Sequence, residues 1–380
     1  MNYKVEMDKL INASGDILYD KRNSVSLNDL DYEKAIMLLK KAHKIAEENG
    51  DIQNQFFITT EIIYASAFIN RQQETILDFI WCINNMNKIT MSDNIAYNLS
   101  WNYKVIADNI YKFSNISLDK IQYIFENMKN FYKDNNMSLK PYYDNKMFAA
   151  MCGAFDEKEI DSLYKEFVVT RADRSSNCRL CNKYSKACYH LYKNDVDNAL
   201  KEAKEILSSI GKCSTAINGV QSHLLLYLYN KGDKELAEKF HLSSIAKING
   251  EKGHFNFIWN HILYLSKVNM GKALKVFEKN YKNSLDGNNS LDKLYFDFSA
   301  YLLFSKVLKE GGRSFKARIP VNSPIYMESG EYYTEKVASH FKDNVLKSKE
   351  AFDKRNGNDV ISRNLNRILD LYKSEKLDDL

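Results

Sequence analysis

The chain has 380 residues, of which 44% are hydrophobic and 27% charged, with only 3 Pro and 14 Gly. It is longer than a single compact core usually grows, so two domains or one elongated array are expected, and the scarcity of chain breakers favours long helices over a sandwich or barrel. The net charge of +5 comes from 54 basic and 49 acidic residues that interleave along the chain, which argues against a nucleic-acid binder with one basic face.

The opening stretch, MNYKVEMDKLINASGD, lacks the apolar core of a signal peptide, and no apolar run reaches the ~18 residues of a membrane span. The cytoplasm is therefore the expected location, with the six cysteines kept as thiols. A first helix is predicted over residues 4–19, followed by the polar loop KRNSVSLND. From Asp31 one pattern recurs seven times: a short polar turn, then a small or branched apolar residue that opens an amphipathic helix. It reads DYEKA to Ala35, QQETI to Ile76, SLDKI to Ile121, DEKEI to Ile160, DVDNA to Ala199, DKELA to Ala237 and NMGKA to Ala273. The spacings are 41, 45, 39, 39, 38 and 36 residues. In the first of these helices Ala35, Leu38, Leu39, Ala42, Ile45 and Ala46 repeat at i, i+3, i+4 and i+7, so they form one apolar stripe.

Further helices are predicted between these, at 52–69, 93–112, 141–152, 179–193, 216–231 and 254–269. The short polar links between neighbours make them antiparallel hairpins. Recurrence at this period is the signature of a solenoid, in which each hairpin buries its apolar face only by stacking on the next. The periodic part ends near Gly311-Gly312. The following RSFKARIPVNSPIY holds two of the three prolines and should be extended. A helix over 329–351, a turn at Arg355-Asn356-Gly357 and a last helix over 358–373 complete the chain, with Gly357 placed where a helix end needs positive φ. The organisation is thus an array over 1–312 and, over 313–380, an extended segment with a C-terminal helical cap that covers the open end.

The repeat length and the small residue opening one helix of each pair resemble the tetratricopeptide repeat, best at Ala35, Ala199, Ala237 and Ala273. The chain as a whole resembles an uncharacterised family of bacterial tetratricopeptide-repeat proteins. The stretches that carry this likeness are Phe79-Ile80-Trp81-Cys82, Trp101-Asn102-Tyr103-Lys104, Asn177-Cys178-Arg179-Leu180-Cys181 and Cys213. They continue with Leu224-Leu225-Leu226 and the Gly232-Asp233 turn, His241, Asn260-His261 and Phe352-Asp353-Lys354-Arg355-Asn356-Gly357. The chain departs from the family at Asn177, where Asp is usual, and at Ile217, where a proline is usual. The resemblance implies a right-handed superhelical solenoid, and it implies no activity.

Cys178 and Cys181, in C-x2-C spacing, together with Cys213 form the candidate metal set, because thiolates at this spacing suit zinc. The bland alternative is three small buried thiols near helix starts, and a redox or nucleophilic use is a third reading. Of the potential fourth ligands, His241 and His261 lie too far along their helices, Cys188 is a poor fit, and His223 serves only if the helix start bends back. His241 and His261 are instead expected to touch, as core residues or as a metal- or pH-sensitive pair. In the tetratricopeptide register the groove-facing side chains are Tyr103, Lys104, Tyr142, Lys146, Tyr184, His223 and Trp259. Such a mixed aromatic, basic and polar strip docks peptides through a few anchors. Trp81 and Trp101 read as core, and Asp353 with Arg355 as a capping turn. Nucleotide-binding glycine motifs, H-E-x-x-H and G-x-S-x-G do not occur, so no enzyme is expected and no cofactor other than a structural zinc. The expected fold is all-α, and the expected activity is non-catalytic binding of a protein or peptide as an adaptor or regulator. The alternatives are a signal-peptide-sensing or RNA-binding regulator, or a zinc-dependent protein.

Overall fold

The computed structural model describes residues 3–20, 27–69, 71–209, 213–286 and 290–372. Residues 21–26 of the expected polar loop, Lys373 of the expected last helix and the tail beyond it lie outside the described residues. The described chain is all-helical apart from one two-stranded ladder, and none of its helices is long and apolar enough to cross a membrane. It divides into two units, Met1–Phe148 with Lys165–Ser176, and Ala149–Tyr164 with Asn177–Leu380.

In the first unit α1 (Tyr3–Gly15), α2 (Asp29–Glu48), α3 (Ile52–Ala67), α4 (Ile76–Asn85), α5 (Asp93–Ile110) and α6 (Leu118–Asp134) follow one another. The unit boundary falls within α7 (Lys140–Met151) and α8 (Ile160–Val169). α2 packs on α1 and α3, α4 on α3 and α5, and α3 packs directly on α5. Local chemistry starts these helices. Asn28 and Asp31 form a reciprocal capping box on α2, Asp51 accepts the Asn54 amide (3.1 Å) on α3, and Ser92 accepts the Ile95 amide (3.3 Å) on α5.

The second unit continues with α9 (Arg179–Tyr192), α10 (Val196–Leu207), α11 (Ser214–Lys231), α12 (Lys234–Ile248), α13 (Phe255–Val268), α14 (Met270–Asp286) and α15 (Ser290–Lys309). Then come β1 (Ser314–Lys316), β2 (Glu331–Tyr333), α16 (Thr334–Asn356) and α17 (Val360–Tyr372). α9, α11, α13 and α15 pack side by side as one layer, and α10, α12 and α14 each lie against the two members of that layer that flank them in the chain. The seven recurrent apolar residues open α2, α4, α6, α8, α10, α12 and α14, and every one is buried, with the four alanines at 0% exposure. In α2, α10, α12 and α14 the alanine lets the helix approach its neighbours closely, whereas α4, α6 and α8 carry a buried isoleucine there.

The segment after Gly312 belongs to the second unit. It is extended only up to Pro320, turns follow at both prolines (Ser323 N–H to Pro320 O 2.9 Å, Tyr326 N–H to Ser323 O 3.1 Å), and its start pairs with a later strand. β1 and β2 are antiparallel with Phe315 opposite Tyr332, and Phe315 stacks on Phe304 of α15 (4.8 Å). α16 runs along α15 and adds Phe341 to Phe277 and Phe304. Gly357 ends α16 with φ 66°. The last helix does something the sequence pattern does not announce: it turns back across the layer.

Candidate functional site

Four rings, one from each helix of the α9–α11–α13–α15 layer, stand in a row. Tyr184 stacks on His223 (6.0 Å between centroids), His223 meets Trp259 (6.2 Å), and Trp259 stacks on Tyr295 (5.4 Å). All four are half-buried. The row exists because 184, 223, 259 and 295 occupy equivalent positions in helices that recur every 36–39 residues. Gly219 makes room for it: a β-carbon there would sit 2.8 Å from the Tyr184 ring and 3.0 Å from Phe257. The Tyr184 hydroxyl bonds His223 Nε2 (3.0 Å), and burial lowers the His223 imidazole to about 4, so that it is neutral at pH 7. The row brings together Tyr184, His223 and Trp259 of the expected strip and adds Tyr295.

The other members of that strip belong to the first unit and are placed differently. Tyr103 is fully buried between Phe79 (4.8 Å) and Phe131 (5.1 Å), and Tyr142 is buried beside Phe125. Neither can meet a partner, and the physical reason is register: both rings point between their own helix and the even helices behind it. Lys104 and Lys146 are half-buried. The ring of α5 that meets α3 is Trp101, 4.7 Å from Tyr64, so it is half-exposed rather than core. Next to this pair Glu61 is buried and accepts from the Tyr19 hydroxyl and the Asn98 amide, and burial pushes its carboxyl up. Glu61 is the only charged residue of α3, and a lone acid in an apolar helix is the signal that could have found it.

α17 covers part of the layer in the second unit. Asn230 donates to the Leu371 carbonyl (2.6 Å), the Tyr372 hydroxyl meets Ser266 Oγ (2.6 Å), and the Arg367 guanidinium lies over the Tyr192 ring (4.6 Å). Its other side is tied to the start of the same unit. Asn364 donates to Met151 O (2.8 Å), Asn356 to Cys152 O (3.0 Å), Asn358 to Gly153 O (2.9 Å), and Arg363 pairs with Glu157. Gly153, at φ 78°, admits this chain crossing, since a β-carbon there would lie 2.7 Å from Asn358 Oδ1. Beside α17 a cleft of ≈ 490 Å³ is lined by Tyr192, Asn194, Tyr227, Arg367 and Asp370 among others.

The candidate metal residues also meet. Cys178 is the N-cap of α9 and Cys213 the N-cap of α11, while Cys181 lies in the first turn of α9. Cys181 and Cys213 Sγ are 3.2 Å apart, the Cys181 amide donates to Cys178 Sγ (3.3 Å), and all three sulfurs lie within 4.8 Å of one another. No fourth His, Cys, Asp or Glu joins the group among the described residues. The hydrogen bond from Cys181 and the nearby amides of Ala216 and Thr215 lower the Cys213 thiol to about 6, and the same pairing, with burial, raises Cys181. His241 and His261 touch as well (Nδ1 to Nδ1 2.9 Å), but inside the core, where His261 Nε2 bonds Ser222 Oγ (2.9 Å). Burial holds both rings neutral, His241 at about 4. Asp353 accepts from Ser362 and its carbonyl receives the Gly357 amide, while Arg355 packs on Phe352; the run from Asp353 to Asn356 is the last turn of α16, so the expected turn at Arg355-Asn356-Gly357 begins only at Gly357. Compared with known proteins, the chain matches no protein-family model and no curated protein.

Proposed function

We propose that this protein is a non-catalytic adaptor or regulator that binds a protein or peptide on the α9–α11–α13–α15 face. In this reading the stacked hairpins form a right-handed superhelix of tetratricopeptide type, and that layer lines its concave side. The observation that carries the reading is the row Tyr184, His223, Trp259 and Tyr295. Partly buried aromatic rings at regular spacing on one layer are the kind of anchors such faces use, because they bring large contact area with little side-chain entropy to lose. α17 supports it as an intramolecular example of the binding mode, a helix held by side-chain hydrogen bonds to its carbonyls and by a cation over a ring. Six free thiols fit a reducing compartment, and the cytoplasm is the location this reading carries.

The test is selection of a displayed peptide library on the full-length protein, repeated with Trp259→Ala and Tyr184→Ala. The reading expects peptides that bind the wild type in high salt and lose about 2 kcal/mol, roughly thirtyfold in affinity, with either variant at unchanged helix content. Peptides that bind the variants equally well, or a protein that instead retains nucleic acid released by salt, would overturn it.

A further inference from the structure

Helix caps in this chain follow a rule. Where a side chain closes the first turn, it is Asn28, Asp51, Ser92, Asp195 or Asp233, the oxygen acceptors that N-caps prefer. At α9, in contrast, the side chain that does so is the sulfur of Cys178, and at its layer neighbour α11 the N-cap is Cys213, which makes no side-chain capping bond. A third cysteine, Cys181, stands in the first turn between them. Three thiols that converge within 4.8 Å are not explained by capping, since only Cys178 closes a turn and sulfur is a weak acceptor there.

Two sulfurs on one zinc at ~2.3 Å lie about 3.8 Å apart in tetrahedral geometry. Cys181 and Cys213 Sγ are 3.2 Å apart and none of the three sulfur separations exceeds 4.8 Å, so the group is compact enough to share one such ion. We infer that Cys178, Cys181 and Cys213 bind one zinc ion as a three-thiolate site, with solvent in the fourth position. Cys178 is exposed, which gives the ion an entry path and leaves a coordination position on the solvent side. Zinc carries two positive charges against three thiolates, and the remaining negative charge faces the N-termini of α9 and α11, whose unpaired amides favour it. A soft thiolate set of this kind selects zinc over oxygen-loving magnesium or calcium. The ion would pin the start of α9 to the start of α11 and so fix the register of Tyr184 against His223. A disulfide is the poorer account, because it would join two sulfurs and leave the third without a role.

The test uses the full chain, reduced and then dialysed with zinc. Metal analysis should find about one zinc per chain in the wild type and in Cys188→Ser, a thiol of α9 outside the cluster, and none in Cys178→Ser/Cys181→Ser/Cys213→Ser. Should the triple variant fail to fold, the wild type alone decides: zinc should protect three of its six thiols from a disulfide reagent, and chelation should release them. Cobalt in place of zinc should show thiolate charge-transfer absorption. Equal zinc in the wild type and the triple variant, thiol reactivity unchanged by zinc, or a Cys181–Cys213 disulfide that excludes the metal would each overturn the inference.

Discussion

Tyr103 is the residue whose placement differs most from its sequence reading, and its hydroxyl is left without a hydrogen-bond partner at 0% exposure. A buried hydroxyl without a partner costs free energy, so Tyr103→Phe is expected to be neutral or to stabilise by about 1 kcal/mol in urea titrations. A clear loss of stability would mean that the hydroxyl has a partner. His241 and His261 make a second residue-scale prediction. Both have folded pKa values below the ordinary 6.5, so the unfolded chain binds their protons first as pH falls. Stability is therefore present above pH 6.5 and, for His241, is lost between 6.5 and about 4 at about 1.4 kcal/mol per pH unit, with His261 acting in the same direction. The buried carboxyls of Glu61 and Asp297 act in the opposite sense, because their folded pKa values are raised. The comparison that isolates the histidines is wild type against His241→Gln, whose stability profile should be flatter over this window. Parallel profiles would count against the assignment.

At the scale of elements, α11 holds its place in the layer through the absence of a side chain at Gly219. Ala is intrinsically the better helix former there by about 1 kcal/mol, but its methyl would press two packed rings. Gly219→Ala is expected to destabilise by about 1–3 kcal/mol by denaturant titration, and to weaken peptide binding along with it. A stabilised variant would show that the rings yield freely. The helices themselves are legible in the sequence: α3, α5, α7, α9, α11 and α13 start and stop within two residues of the periodic stretches, because their stripes and polar links mark both ends. The cysteine cluster is legible for the same reason, since its members recur at the starts of successive odd helices. The ring row is legible in α9, α11 and α13 but not in α5 or α7. A register assigned from one anchor drifts by a residue or two, and that is enough to turn Tyr103 away and bring Trp101 round. β1 and β2 are three residues each and leave no pattern to read.

For the whole molecule, α17 matters more than its length suggests. A stack of hairpins touches only its neighbours, so its stability is close to a sum of local terms and it can fray from either end. In the second unit α17 joins residues 151–157 to residues 356–364, so that unit is closed on itself by contacts 204–213 residues apart. Its helices should consequently exchange their amide hydrogens with one shared free energy of opening. Truncation after Gly357 should break that unity into graded protection along α9–α15, and should leave Asn230, Ser266 and Tyr192 free to meet a bound peptide. Identical exchange in the truncated and full-length proteins would show that α17 merely rests on the layer.

The same tie carries a consequence for how the protein is made. Residues 151–157 leave the ribosome roughly 200 residues before their partners in α17, a wait of about 10–40 s at 5–20 residues per second. Throughout that interval the layer from α9 to α15 stands without its last helix, and its aromatic face is open to whatever is nearby. A peptide or protein partner present during synthesis would compete with a segment that does not yet exist, whereas one arriving afterwards must compete with α17 already in place. On the proposed reading, a partner would therefore meet one face before α17 is made and another after it has docked.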